Sequence, residues 1–179
     1  VYAGKISFGS DLARAAKAAS TLPVHIHLQI HDPAATVGVY AGIGDLVIVH
    51  YEIDADPAVL VTAIHEAGCA SGIALAPDTG VEAIYDLLPS LDAILVMTSS
   101  PGTSDYQGRT LVKLTELASM RQKEKLDFLL IADGGITDDN AGAIWAAGAD
   151  QLAAASAVFR HPDGISAGVQ ALEARMDDH

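Results

Sequence analysis

The chain has 179 residues, half of them apolar, and a formal net charge of -13, enough length for one domain with a sizeable core. No apolar run approaches the ~20 residues of a membrane-spanning helix, and the acidity argues against nucleic acid or anionic membrane as partners, since both need a positive field to release counterions. A small phosphorylated ligand is still allowed, because backbone N–H groups at helix starts can hold a phosphate without a basic side chain.

In chain order the pattern reads helix 10–20, strand 24–30, helix 33–43, strand 45–51, helix 56–68, strand 71–76 and helix 80–88. It continues as strand 92–98, helix 110–124, strand 127–133, helix 137–147, strand 151–156 and helix 163–175. Ser10, Asp56 and Thr137 stand where helix N-caps are expected, and Gly44, Gly68 and Gly148 where left-handed helix ends would precede a strand. AGIGD (41–45), EAGCA (66–70) and AAGAD (146–150) mark one unit used repeatedly. Nothing divides the chain, so residues 1–179 are read as a single α/β domain. Polar residues gather at the C-terminal ends of strands: Gln29 with His31, His50 with Glu52, Thr98 to Ser100, and Asp133. That favours a (β/α)8 TIM-barrel type over an open doubly wound sheet, although only six strand-helix units can be counted.

The strand HIHLQIHDP (25–33) puts Val24, Ile26, Leu28 and Ile30 on one face and His25, His27, Gln29 and His31 on the other. Imidazoles facing an interior need partners there. The natural partner is FLLIADGGI (128–136), where a buried strand ends in Asp133 followed by Gly134 and Gly135. His65 and His161 read as solvated, Met97 as interior packing, and Tyr106 as either a residue closing over a substrate or loop surface. The single Cys69 cannot form an intramolecular disulfide and reads as inert filler; a reducing, cytoplasmic setting is expected.

These segments resemble the ribulose-phosphate 3-epimerase family of metal-dependent barrel isomerases. The resemblance runs through ISFG (6–9), LPVHIHLQIHDP (22–33), LVIVHYE (46–52), GIALAP (72–77), LVMTSSPG (95–102), IADGGI (131–136) and AASAVF (154–159), in order and at the family's spacing. It implies His27 as a metal ligand and Asp133 as a ligand and one of two acid/base groups. It also implies Gly134, Gly135, Ala155 and Ser156 as the phosphate cradle. The implied cofactor is a divalent ion (Zn, Fe, Mn or Co), the implied substrate a small phosphorylated sugar, and the assembly a homo-oligomer. Epimerisation beside a carbonyl needs a base on each face of the substrate and a Lewis acid for the enediolate between the two proton transfers.

The chain departs from the family in several places. His25 replaces an Asp, Gln29 a Met, Ala76 an Asn and Ala155 a Gly; the sixth-strand loop is SPGTSDYQG (100–108), with Asp105 where an anionic substrate would be enclosed. The family's first two strands, with a His-x-Asp pair carrying two further ligands and the second base, have no counterpart here. A natural N-terminus longer by about 40 residues is therefore expected, enough for the two missing barrel strands. The competing reading is a non-catalytic epimerase-like barrel kept as a binding or assembly scaffold.

Overall fold

The structure is a computed structural model that describes residues 9–177; most of the ISFG segment lies outside them. Six parallel strands form one sheet in sequence order: β1 (His25–Leu28), β2 (Leu46–His50), β3 (Ala70–Leu75), β4 (Ala93–Met97), β5 (Leu129–Asp133) and β6 (Gln151–Ala153). The helices are α1 (Ser10–Ala19), α2 (Val37–Ala41), α3 (Pro57–Glu66), α4 (Leu111–Glu124), α5 (Asp138–Ala146), α6 (Ser156–Phe159) and α7 (Ile165–Asp177). The α/β barrel-type reading with six strands holds. No helix among the described residues is long and apolar enough to cross a membrane.

The sheet curls. In a flat sheet β1 and β5 would stand ~19 Å apart, four strand spacings of ~4.8 Å, yet the side chains of His27 and Asp133 meet at 3.2 Å. Curling buries both faces, which is why the strands read as unbroken apolar runs. Leu46, Ile48, Ala74, Leu95, Met97 and Ile131 pack together on the inside. Val47, Val49, Ile73, Ile94, Val96 and Leu130 face outward against Ile64, Leu114, Leu117 and Ile144 of the helices. Between β1 and β6 the lumen opens as a cavity of ≈ 470 Å³ lined by His25, His27, Ile131, Asp133, Gln151 and Ala153, among others.

Three of the strand entries share one device. Asp45, Asp92 and Asp150 each stand just before a strand, and each grips the preceding strand's entry by two bonds. Their N–H groups donate to the carbonyls of Val24, Ser71 and Leu130 (2.9, 3.0 and 2.7 Å), and their carboxylates accept from the N–H groups of those same residues (2.7, 2.8 and 2.7 Å). A cationic or imidazole partner completes each: Lys17, His65 and Arg121. Burial alone would raise the Asp150 carboxyl, but hydrogen bonds from Arg121 and the Leu130 N–H outweigh it and hold the group below the usual carboxylate range. A carboxyl depressed in the folded state contributes stability above its unfolded pKa and loses it as pH falls through the folded value. Asp150→Ala would leave the Leu130 N–H without its acceptor and Arg121 with the Phe128 carbonyl but no carboxylate. It is expected to cost about 1–3 kcal/mol by urea titration at neutral pH, with a smaller difference in acid.

Several local expectations change. The helix read at 80–88 is two 3₁₀ turns, Val81–Ile84 and Leu88–Ser90; Pro89 has no N–H to carry the first helix onward and sits instead in the opening turn of the second. The helix read at 33–43 shortens to Val37–Ala41 after a turn closed by the Pro33 carbonyl. Asp56 does cap α3, accepting from the Ala58 N–H at 2.9 Å, and Asn140 Oδ1 accepts from the Thr137 N–H at the start of α5. Gly9, not Ser10, is the N-cap of α1. Gly68 and Gly148 adopt positive φ and Gly44 does not; at Gly44 a Cβ would stand 3.0 Å from Ile26 Cδ1, so packing is its constraint.

Candidate active site

Period-two alternation on β1 turns Leu28 outward into the core and His27 inward. The register pairs His27 with Ile48, so His50, two residues further along β2, also faces the lumen but one step nearer its C-terminal rim. There His27 sits between two partners. Its Nδ1 lies 3.2 Å from Asp133 Oδ2, and its Nε2 lies 2.9 Å from His50 Nε2. The two rings are inclined by 22° with centroids 4.9 Å apart. That separation exceeds the nitrogen–nitrogen distance by about two ring radii, so the imidazoles meet end to end rather than face to face. His50 Nδ1 in turn lies 3.1 Å from Glu52 Oε2, and Glu52 Oε1 accepts from the Ala76 N–H at 2.8 Å. The result is an unbroken chain of contacts from Asp133 through two imidazoles to Glu52 and the end of β3.

The chain is open at both ends, Glu52 keeping 22% of its exposure, and dry in the middle. The side chains of His27 and Asp133 retain 20% and 28% of their exposure, whereas His50 retains none. Burial is the main influence on the His50 imidazole and pushes its pKa down, outweighing the bond to Glu52. Behind Ala76, the buried Lys113 donates from Nζ to the Ala76 carbonyl at 2.7 Å, and burial lowers its pKa as well. The residue whose N–H holds Glu52 is thus itself held through its carbonyl.

Asp133, Gly134, Gly135, Ala155 and Ser156 line one cavity of ≈ 490 Å³ at the C-terminal ends of β5 and β6. Thr103, Ser104 and Arg160 line it too. Asp105 is exposed and is not part of that lining, so its charge does not face the cavity directly. Gly134 and Gly135 have φ of +119° and +65°. A Cβ on Gly135 would stand 2.5 Å from the Ser104 carbonyl oxygen, so the close backbone approach here is made by the loop after β4. That loop is fastened by Gln107 N–H to the Thr98 carbonyl (2.7 Å) and Gln107 Nε2 to Ser100 Oγ (2.9 Å). Tyr106 packs on the core. His25 is exposed at the lumen gap, with its pKa lowered by burial against the pull of Asp45. His31 lies in the exposed turn after β1. His65, read as solvated, is half exposed and bonds Asp92 and Ser71. Cys69 is buried, and its thiol pKa is raised by burial.

The donor set has a definite capacity for metal. Two ligands of one tetrahedral cation with bonds of about 2.1 Å stand about 3.4 Å apart, close to the 3.2 Å between His27 Nδ1 and Asp133 Oδ2. Among the described residues no group of three or more His, Cys, Asp or Glu side chains is arranged to hold an ion. The pair therefore fits as half of a four-ligand shell.

The sequence profile of the ribulose-phosphate 3 epimerase family matches residues 1–159. This chain belongs to that family. It is 32% identical over 161 residues to a ribulose-phosphate 3-epimerase of Treponema pallidum, covering 88% of this chain and 74% of that protein. It is 31% identical over 166 residues to a ribulose-phosphate 3-epimerase of Bacillus subtilis, covering 90% and 76%. Among solved structures, 3-hexulose-6-phosphate synthase from Salmonella typhimurium superposes with a TM-score of 0.68 at 17% identity, covering 96% of this chain and 82% of that one; at that identity the likeness concerns the fold. The relatives' shared name is that of a carbohydrate isomerase.

His27 and Asp133, singled out in the sequence, are brought together. His50 stood without a named partner there, and Arg160 was missed. A basic residue four positions beyond Ser156 was the available signal for Arg160, masked by its place after a short apolar run.

Proposed function

We propose that this chain epimerises a small phosphorylated ketose, such as a ribulose phosphate, by moving a proton at the carbon beside the carbonyl. The observation that carries this is the meeting of His27 and Asp133 inside the lumen, next to a cavity lined by two glycines, Ser156 and Arg160. Asp133 takes the proton: it is the one carboxylate, among the described residues, that lines both this cavity and the lumen gap. His27 and Asp133 would hold a divalent cation, which supplies a Lewis acid for charge developing on the carbonyl oxygen. His50 and Glu52 hold His27 in place. The substrate phosphate sits against the backbone of Gly134, Gly135, Ala155 and Ser156, with Arg160 as the cation that a strongly acidic chain otherwise withholds from this rim.

The test is isotope exchange, because removing a proton from one face requires only one base. With a ribulose phosphate in deuterium oxide, the chain is expected to wash deuterium into the position beside the carbonyl, followed by NMR. Absence of exchange with divalent ion supplied would favour the scaffold reading. Arg160→Ala is expected to raise KM about tenfold, the worth of one charge-assisted hydrogen bond at a partly open site. In the same assay kcat should change little, since Arg160 touches the phosphate and not the reacting carbon.

A further inference from the structure

Ser156 and Arg160 reach the substrate cavity from α6 and its C-terminal end, and α6 is only four residues long, with no side-chain cap at Ala155. A helix of that length does not hold itself in water. Its place is set by what it rests on, and it rests on α7, which follows a turn closed by the Gly164 N–H donating to the His161 carbonyl at 3.1 Å.

The two helices touch at one buried residue, Gly168, at the end of the first turn of α7. Its N–H donates to the Gly164 carbonyl at 3.1 Å as a helical residue does, and its φ is not positive. Backbone freedom is therefore not what glycine supplies here, and alanine would be the better helix former. Packing supplies the reason. A Cβ on Gly168 would stand 2.6 Å from the Ala157 carbonyl oxygen and 3.0 Å from both Val158 Cα and His161 Cβ. Two of these are main-chain atoms and the third is the root of a side chain, so no flexible tip can yield. The touched residues lie between Ser156 and Arg160 or directly after them. Elsewhere α6 is held less closely: a cavity of ≈ 250 Å³ beside it is lined by Ser156, Arg160, Thr137 and Asp138, among others.

On the reading that this rim takes the substrate's phosphate, we propose that Gly168 is a positioning residue, which seats α6 backbone against backbone on α7 and so sets where Arg160, and Ser156 with it, meets that phosphate. Gly168 touches neither substrate nor Asp133; it acts through the helix it supports.

Gly168→Ala tests this. The new methyl group has to move α6 by about 1 Å, from 2.6 Å to an ordinary contact near ~3.5 Å, and the adjoining cavity gives the helix room to move, so the variant is expected to fold. Its KM for a ribulose phosphate should rise about tenfold, the size of the Arg160 contact itself, with kcat unchanged because Asp133 stands on β5. Inorganic phosphate titrated into the full chain without substrate, followed by amide NMR, should bind more weakly by the same factor; this reading does not depend on turnover. Arg160→Ala should cost less affinity in the Gly168→Ala background than in the parent, because a displaced cation has less to lose.

A glycine that merely packs would lower the unfolding midpoint in urea and leave KM, phosphate affinity and the effect of Arg160→Ala at their parent values; that result overturns the proposal. Fully additive losses from the two substitutions overturn it too, since Gly168 would then not act through Arg160. So does a Gly168→Ala protein that fails to fold, since Gly168 would then support the domain and not the rim. If Arg160→Ala weakens phosphate binding while Gly168→Ala does not, the phosphate rim stands and only the role of Gly168 falls. If Arg160→Ala leaves phosphate binding unchanged, the phosphate reading of the rim falls and takes the role of Gly168 with it.

Discussion

Asp133→Asn is expected to lower deuterium exchange and epimerisation by a factor on the order of 10²–10⁴, the usual contribution of one general acid/base group. The side chain keeps its shape, and its amide can still meet His27 Nδ1, now as a donor, so the contact seen at 3.2 Å survives in altered form. Stability should change little, since the carboxylate is partly open to the lumen and is not a buried ion whose removal strands a partner. Two measurements separate the roles: denaturant titration reports the fold, and NMR in deuterium oxide reports proton removal. Loss of exchange with an unchanged unfolding midpoint is the expected pair. Undiminished exchange would remove Asp133 as the base and the mechanism with it.

The parts of this architecture that sequence discloses are those set by short-range rules. Alternation in HIHLQ turns His27 and Leu28 to opposite faces whatever the rest of the chain does, and helix–strand alternation implies a parallel sheet. Asp133 stood out because an acid at the tip of a buried strand, followed by two glycines, has few structural reasons to be there. The His27–His50 pair was hidden for the opposite reason. It depends on the register that sets His27 beside Ile48, which is written in no local window. Glu52 was visible only as a polar residue at a strand end; that it reaches the Ala76 N–H of the next strand follows from the register that pairs His50 with Ala74. The 3₁₀ turns at 81–90 show the converse, where an apolar periodicity suited to a helix is divided into two short turns, the second with a proline in its opening turn.

The backbone under Asp133 gives the second large effect. Gly134 has φ of +119°, and a Cβ there would stand 2.2 Å from Ser99 Oγ and 2.8 Å from the Ser99 nitrogen. Ser99 and Thr98 are buried, Thr98 donates from Oγ1 to the Gly134 carbonyl at 2.5 Å, and the Thr98 N–H donates to the Asp133 carbonyl at 2.7 Å. Neither side of the overlap can move without breaking these bonds. Gly134→Ala is expected to cost about 3 kcal/mol, backbone strain and steric overlap together, measured by urea titration. Because relief of the overlap has to shift the peptide that carries Asp133, proton exchange should also fall by about 10²-fold, the cost of misplacing a reacting group by ~1 Å. Gly102→Ala separates the two causes. Gly102 has φ of +79° with nothing within 4 Å of where a Cβ would stand, so it carries strain without overlap. It should cost only about 1 kcal/mol and leave exchange unchanged. Equal effects at the two glycines would mean that left-handed backbone alone, and not the fit of Gly134 against Ser99, fixes the position of the base.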